Sequence, residues 1–233
     1  MKQVSILVID DDKEIADLVE IHLVSEGYRV IKSNSAKEGL TYLEKESIKL
    51  VILDIMMPGM DGLTLCGKIR ETNTVPIIIL SARSTDLDKI IGLGTGADDY
   101  VTKPFNPLEL TARVKSQLRR YTKLNPNSPG GNQNNEIILD HLIINKETHK
   151  VIAYGKNVKL TPIEFDILYL LAGNVGRVFS TDEIFERVWN EKMFDANNTV
   201  MVHIRRIREK IEMDSRDARI IKTVWGVGYK IEE

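Results

Sequence analysis

Residues 50–59 read Leu-Val-Ile-Leu-Asp-Ile-Met-Met-Pro-Gly, so that four apolar residues lead directly into one carboxylate, Asp54, and a Pro-Gly break follows. A short apolar run bounded by a turn signal predicts a strand that is buried on both faces. Asp54 is then expected where the strand leaves the sheet, which is the edge where ligands bind in open α/β sheets. Asp54 is therefore a candidate functional residue at that edge.

Strand-like and helix-like segments alternate through the first half of the chain. Strands are expected near residues 5–9, 28–32, 50–54, 75–80 and just before 102, and helices near residues 13–26, from a capping box at 35–38, and near 63–71, 86–93 and 107–121. This alternation predicts an α/β fold with a doubly wound, five-stranded parallel sheet that is covered by helices on both faces.

Polar residues follow separate strands of this predicted sheet. Asp10 and Asp11, Asp54, Ser81 and Lys103 are all expected at one edge. Each residue alone is commonly a turn, a helix cap or a solvated charge. Together, the carboxylates would repel one another unless a cation were present, and Mg²⁺ suits oxygen ligands beside an oxyanion. Lys103 would add positive charge and Ser81 a hydroxyl donor. We therefore expect Asp54 to be a nucleophile that accepts a phosphoryl group.

Composition limits the class of protein. The 233 residues carry a formal charge of -2 and a single cysteine, Cys66, which excludes an intramolecular disulfide and fits a reducing compartment. We expect a cytoplasmic protein without a membrane partner, because neither a signal peptide nor a long apolar run is visible. Residues 122–136 are rich in Asn, Pro and Gly, which predicts a flexible linker. The predicted domains are therefore 1–121 and 137–233.

The second half predicts short strands, three helices and a hairpin. Capping boxes begin helices at Thr161 and Ser180, and a third helix is expected from Thr199 to about Glu212. Its apolar stripe predicts a core face, and a glycine-centred turn within 219–231 predicts the hairpin. The opposite face is either a solvated basic surface or a DNA-binding surface. In the second case, the candidate DNA-contacting residues are Thr199, Val202, His203, Arg205, Arg206, Arg208, Lys222 and Thr223.

The first half resembles the receiver domain of two-component response regulators, which has a flavodoxin-like fold. The resemblance is carried by Ile9-Asp10-Asp11, Leu53-Asp54, the run 57–62, Ser81-Ala82 and the run 96–105. It implies that Asp54 is phosphorylated by a sensor histidine kinase. It also implies that Asp11, Asp54 and the Met56 carbonyl ligate Mg²⁺, with Asp10 acting through water.

The same resemblance assigns further roles. Ser81 and Tyr100 would be a switch pair that reorients on phosphorylation, and Lys103 would contact the phosphoryl group. The Lys103-Pro104 peptide is similar to one that is cis in the family.

The face formed by residues 86–93, 98–102 and 107–121 is similar to the symmetric dimer interface of OmpR/PhoB-type regulators. A homodimer on phosphorylation is therefore expected, with Lys89 facing Glu109 and Asp99 facing Arg113 across a two-fold axis. The expected interface residues are Lys89, Ile90, Leu93, Asp98, Asp99, Glu109, Arg113 and Arg120.

The second half resembles the winged helix-turn-helix effector domain of the same regulators, an α+β fold. The matching runs are 161–165, 202–210 and 224–229. The resemblance implies binding to promoter DNA, expected at direct repeats, and contact with RNA polymerase. The family often has arginine before the first wing glycine, whereas this chain has Trp225. Residues 14–20 and 221–231 are similar to regulators of vancomycin resistance in Gram-positive bacteria.

Two other functions are weighed against a phosphorylation-dependent regulator. An aspartate-nucleophile phosphatase of the haloacid dehalogenase type needs an acid two residues after the nucleophile, where this chain has Met56. We therefore expect no enzyme activity beyond Mg²⁺-dependent phosphorylation and dephosphorylation of the chain itself. A regulator that works without phosphorylation is disfavoured by the intact set of acids.

Overall fold

The structure, a computed structural model, describes residues 3–123, 136–189 and 196–232. The chain divides into two compact units, Met1–Tyr121 and Thr122–Glu233. Most of the predicted linker lies outside the described residues. Within the described residues, no helix has the length and the apolar composition needed to cross a bilayer.

A five-stranded parallel sheet forms the centre of the first unit. Its strands lie in the order β2-β1-β3-β4-β5, and β3 pairs with β1 on one side and with β4 on the other. The apolar runs of β1 and β4 are buried along their whole length, as expected for a sheet covered on both faces. The predicted fold class is confirmed. The strands are β1 (Ser5–Ile9), β2 (Arg29–Ser33), β3 (Ile48–Asp54), β4 (Ile77–Ser81) and β5 (Asp99–Thr102).

Helices connect these strands, and short polar side chains fix several of their starts. Asp12 caps the first helix, Asp61 the third and Thr85 the fourth, each accepting a hydrogen bond from a backbone N–H in the first turn. The helices are α1 (Lys13–Ser25), α2 (Ala36–Lys45), α3 (Gly62–Thr72), α4 (Asp86–Thr95) and α5 (Pro107–Lys123).

The capping box predicted at Ser35 is not formed. Ser35 is the N-cap residue of α2, but its side chain makes no capping hydrogen bond. The Glu38 carboxylate instead accepts hydrogen bonds from the Ser33 hydroxyl and from the Asn34 N–H. Ser33 at the end of β2 therefore competes for the acid that the motif assigns to the helix start.

The second unit begins with a four-stranded antiparallel sheet, continues with three helices and ends with a hairpin. The sheet contains β6 (Glu136–Leu139), β7 (Leu142–Asn145), β8 (Lys150–Ala153) and β9 (Lys156–Val158), and the helices are α6 (Pro162–Ala172), α7 (Thr181–Trp189) and α8 (Ala196–Ile211). The hairpin pairs β10 (Ile221–Val224) with β11 (Gly228–Ile231). The predicted α+β architecture is confirmed.

Helix α8 packs its predicted apolar stripe into the core of this unit. Val200, Ile204, Ile207 and Ile211 are all buried. The helix begins at Ala196, three residues earlier than predicted, and residues 190–195 lie outside the described residues.

Candidate functional site

Three carboxylates meet at the carboxyl ends of β1 and β3. Asp10 and Asp54 are buried and Asp11 is exposed, and one oxygen of each lies within 4.8 Å of the others. The Asp12 N–H donates to Asp10 Oδ1 at 3.0 Å. The predicted convergence of these acids at one sheet edge therefore holds, because parallel strands end together at that edge.

Lys103 supplies positive charge beside two of the acids. Its Nζ lies 2.8 Å from Asp10 Oδ2 and 3.1 Å from Asp54 Oδ1. Burial favours the neutral amine, but the hydrogen bond and charge of Asp10, together with Asp54, outweigh it, so the pKa of Lys103 lies above its ordinary value. Burial raises the pKa of Asp10 by more than Lys103 lowers it. The ammonium group therefore compensates the crowded acids only in part.

The donor set suits a hard divalent cation. It consists of carboxylate oxygens, one of them on an exposed side chain that opens the site to solvent. Met56, whose carbonyl is the further expected ligand, lies in the turn directly after β3 and Ile55. The residues present thus fit Mg²⁺ chemically.

Ser81 and Tyr100 lie on the neighbouring strands β4 and β5. Ser81 directly follows Leu80, which pairs with Asp54, so the serine ends the strand beside the acids. The Ser81 Oγ accepts a hydrogen bond from the Arg83 N–H at 3.1 Å, and the Tyr100 hydroxyl donates to the Arg83 carbonyl at 2.8 Å. Both side chains are buried, and burial raises the pKa of Tyr100. The two predicted switch residues therefore hold the same backbone segment.

The exposed face of α8 is narrower than the sequence predicts. Arg205 is the most exposed of the predicted DNA-contacting arginines, with 80% of its side chain accessible, and it pairs with Glu209 at 3.0 Å. Thr199 and Val202 are half-buried. Met201, which the sequence reading did not select, is 52% exposed and lies on the solvent side of the helix.

Two predicted DNA-contacting residues face the interior instead. His203 is fully buried and its ring lies 5.5 Å from that of Trp189. The Arg206 side chain is only 12% exposed and lies 3.6 Å from Glu164, a buried acid of α6. The prediction for His203 and Arg206 is therefore wrong for this conformation, because α6 and α7 cover their side of the helix.

Arg208 joins α8 to the hairpin. Its Nη2 donates to the Ile221 carbonyl at 2.7 Å and to the Thr223 hydroxyl at 2.8 Å. Arg208 and Thr223, two of the predicted DNA-contacting residues, are thus hydrogen-bonded to each other. Lys222 is exposed and pairs with Glu232 at 3.0 Å.

Comparison with known proteins identifies the family. Residues 6–115 match the family model described as response regulator receiver domain, and residues 155–231 match the one described as transcriptional regulatory protein, C terminal. The chain is 51% identical to the regulatory protein VanR of Enterococcus faecium over 231 residues, covering 98% of each chain. The chain belongs to the response regulators of the OmpR/PhoB type.

Further relatives agree with this assignment. VanRc of Enterococcus gallinarum is 52% identical over 228 residues, covering 98% of each chain. The crystal structure of DrrB, an OmpR/PhoB homologue from Thermotoga maritima, is 35% identical, with a TM-score of 0.52 and coverage of 99% of this chain and all of the other. The predicted similarity to regulators of vancomycin resistance is confirmed, because VanR and VanRc are such regulators. The chain is a DNA-binding response regulator of a two-component system, with a histidine kinase as partner.

Five of the eight residues predicted for the response regulator's α4-β5-α5 interface are buried within the unit, namely Leu93, Asp98, Asp99, Arg113 and Arg120. Leu93 is 1% exposed and belongs to the core. Asp98 is fully buried, pairs with Arg70 at 2.7 Å and accepts the Ile77 N–H at 2.9 Å. The prediction that Leu93 and Asp98 lie on this surface is therefore wrong, since both side chains point into the unit.

The charged residues that were expected to pair across the interface already form ion pairs within the chain. Arg113 is buried and lies 3.1 Å from Asp99 and 2.9 Å from Glu109, while Lys89 lies 3.6 Å from Asp86. Ile90 is half-buried and Arg120 is buried. A homodimer that uses these charges must therefore share or exchange pairs that each protomer already forms.

Glu164 anchors α8, a role that no sequence pattern predicted. This carboxylate is fully buried, lies 2.5 Å from Lys210 and accepts the Thr161 N–H at 2.8 Å. Burial alone would raise its pKa, but the charges of Lys210 and Arg206, together with the hydrogen bonds from Lys210 and the Thr161 N–H, outweigh burial and hold the pKa below its ordinary value. The capping-box motif at Thr161 was the available signal, but it does not show that the acid also reaches α8.

Proposed function

We propose that Asp54 accepts a phosphoryl group from the histidine kinase and that this event controls binding of α8 and the hairpin to promoter DNA. The observation that carries the proposal is the position of Asp54 at the end of β3, within 3.1 Å of Lys103 and beside two further acids. A carboxylate in this setting is positioned to attack, and a nearby ammonium group can stabilise the charge of the phosphoryl oxygens.

The transfer needs one bond to form and one to break. A carboxylate oxygen of Asp54 bonds to phosphorus while the bond between phosphorus and the donor histidine nitrogen breaks. Mg²⁺ held by Asp11, Asp54 and the Met56 carbonyl, with Asp10 acting through water, would neutralise charge on the phosphoryl oxygens. Lys103 offers a second positive contact. Later attack by water on phosphorus breaks the bond to the Asp54 oxygen, which releases inorganic phosphate and returns the carboxylate. The chain then catalyses only its own phosphorylation and dephosphorylation.

The phosphoryl group brings roughly -1.5 to -2 charges and new acceptor oxygens to this edge. The Ser81 hydroxyl can donate to one of these oxygens, which would release its present bond from the Arg83 N–H. Tyr100 shares that segment through the Arg83 carbonyl, so both side chains would change the β4–α4 loop together.

The altered loop leads directly into α4 and therefore into the proposed dimer face. This face comprises Lys89, Ile90, Asp99, Glu109, Arg113 and Arg120. A phosphorylation-driven homodimer would place two DNA-binding units on direct repeats, with Thr199, Val202, Arg205, Lys222 and the hairpin against DNA. Contact with RNA polymerase at the promoter and residence in the cytoplasm complete the proposed role.

DNA footprinting with and without beryllofluoride tests this function. The untreated full chain, the chain treated with beryllofluoride and Mg²⁺, and an Asp54→Ala control are compared on genomic DNA of the host. We expect protection of paired sites that strengthens on treatment only when Asp54 is present. Equal protection in all three samples would contradict control by phosphorylation, and no protection in any sample would contradict promoter binding.

A further inference from the structure

The hairpin presents a large aromatic side chain to solvent at its tip. Trp225 is 90% exposed and Val227 is 56% exposed, with Gly226 between them. The chain's other tryptophan, Trp189, is 3% exposed and stacks on Phe185. An exposed indole can contact a binding partner through both its apolar ring and its N–H group.

The tip is held rigidly. The Val227 N–H donates to the Val224 carbonyl at 2.9 Å, and Gly226 has a φ of 73°, which closes a tight turn. Tyr229 of β11 exchanges two backbone hydrogen bonds with Phe179, each 2.9 Å long. A β-carbon at Gly228 would lie 1.9 Å from the Phe179 carbonyl oxygen, so only glycine permits this contact. The backbone that carries Trp225 is therefore preorganised, which lowers the entropic cost of binding.

The same tip is fixed relative to α8. Arg208 of α8 donates to the Ile221 carbonyl and to the Thr223 hydroxyl of β10, and its guanidinium lies 5.6 Å from the Tyr229 ring. Arg208 thus ties the hairpin to the same helix on which Arg205 is exposed.

Charge around the tip favours DNA as that partner. Lys222 and Lys230 lie opposite each other in the β10–β11 ladder, and both contact a single carboxylate, Glu232. Two ammonium groups with one counter-charge leave net positive charge behind an uncharged tip. Lysines suit phosphates, whereas an apolar ring suits the interior of a groove.

We propose that Trp225 enters the minor groove beside the α8 contact and selects A·T over G·C base pairs there. The guanine N2 amino group projects into the minor groove, and A·T pairs have no group at that position, so a bulky ring enters more deeply at A·T. The indole N–H can also donate to adenine N3 or thymine O2. This inference rests on the proposed promoter binding, and it makes Trp225 a specificity-determining residue.

The test measures binding of the beryllofluoride-treated full chain to duplexes that carry the footprinted site. The base pair under the hairpin is A·T, G·C or inosine·C, and inosine lacks the guanine amino group. We expect the wild type to bind the A·T and inosine·C duplexes alike and the G·C duplex roughly tenfold more weakly, the scale of one mismatched pair. Trp225→Ala should weaken A·T binding by a similar factor and abolish the preference, and Trp225→Phe should restore part of it.

Two further readouts separate this role from others. Trp225→Ala should leave the salt dependence of binding unchanged, whereas Lys222→Ala should reduce it, because only lysine displaces counterions. Tryptophan emission of the wild type should change on DNA binding, and that of Trp225→Phe should not, since Trp189 is buried.

Three other results would contradict the role of Trp225, and they differ in what else they contradict. Failure of the wild type to bind any of the duplexes would overturn promoter binding and this inference together. Wild-type binding with the same affinity and base preference in Trp225→Ala would overturn this inference alone. If that variant binds DNA normally but activates transcription less, Trp225 contacts a protein instead, and the minor-groove role is wrong.

Discussion

The ring of Tyr100 packs directly over Gly92 of α4. A β-carbon at position 92 would lie 2.9 Å from both Cδ2 and Cε2 of the ring and 3.1 Å from Ile79 Cδ1. Such contacts are too short, so the buried position of Tyr100 depends on glycine at position 92. The proposed switch residue, Tyr100, can therefore occupy this position only if residue 92 of α4 has no side chain.

Gly92→Ala should block this position of Tyr100 while leaving Asp54 chemistry intact. We expect normal phosphorylation by acetyl phosphate but a reduced gain in dimerisation and DNA binding, measured by sedimentation and by fluorescence anisotropy. Gly67→Ala is the matched control, because its β-carbon would meet only Thr95 Cγ2, at 3.9 Å. Both changes carry a similar gain in helix propensity of about 1 kcal/mol. An equal gain in dimerisation and DNA binding in the two variants would show that Tyr100 does not require glycine at position 92.

Lys103→Met should slow phosphorylation of Asp54 by about a hundredfold, the usual scale for loss of one charge-stabilising donor. The reason is that Lys103 Nζ lies 3.1 Å from Asp54 Oδ1 and is positioned to contact the incoming phosphoryl group. The rate is measured with acetyl phosphate and saturating Mg²⁺. Lys37→Met, at an exposed position on α2, removes the same charge away from the site and should leave the rate unchanged. A similar rate in both variants would argue against this role for Lys103.

His149 should make the second unit less stable in acid. Burial, and to a smaller extent the charge of Lys146, lower the pKa of His149 from 6.5 to about 4. Above pH 6.5 the ring is neutral in the folded and unfolded chains. As pH falls from 6.5 to 4, only the unfolded chain gains the proton, so stability falls. Allowing for partial solvent exposure, we expect a loss on the order of 1–2 kcal/mol.

The measurement is thermal unfolding of His149→Asn and wild type between pH 7.5 and 4. Asparagine does not titrate and tolerates the positive φ of 49° at this position. As pH falls, the free energy of unfolding of the wild type should decrease more than that of His149→Asn. Parallel pH curves would show that His149 is not buried as described.

Lys89→Glu should weaken beryllofluoride-induced dimers by roughly fivefold, which corresponds to about 1 kcal/mol for a partly exposed pair. Adding Glu109→Lys in the same chain should restore part of the association, because the reversed charges again attract across the interface. Sedimentation equilibrium measures both effects. Lys37→Glu makes the same charge change away from this face and should have no effect. If Lys89→Glu dimerises like wild type, the proposed interface pairs are wrong.

Local signals account for the parts of the structure that the sequence predicts well. Apolar runs ending at Asp10, Asp54 and Ser81 give the strand ends, and parallel strands with covering helices bring those ends to one edge. The apolar stripe of α8 likewise gives its core face, since a helical period depends only on neighbouring turns. The family motifs supplied the role of each acid, which spacing alone does not.

The errors arise where a distant residue decides which way a side chain points. The sequence predicts Asp98 on a charged surface, but its carboxylate is buried and forms an ion pair with Arg70 of α3. Arg206 lies on the polar face of α8 by helical period, but the buried acid Glu164 of α6 lies beside it. Such pairings join elements far apart in the chain, and no local pattern encodes them.

Mass spectrometry of the full chain after incubation with Mg²⁺ and acetyl phosphate shows whether Asp54 accepts a phosphoryl group. We predict one added phosphoryl group, located on Asp54 by peptide mapping after the acyl phosphate is trapped, and none in an Asp54→Asn protein. An unmodified wild-type chain, when its cognate kinase is also supplied in active form, would contradict the account. The same phosphoryl group retained in Asp54→Asn would contradict it equally.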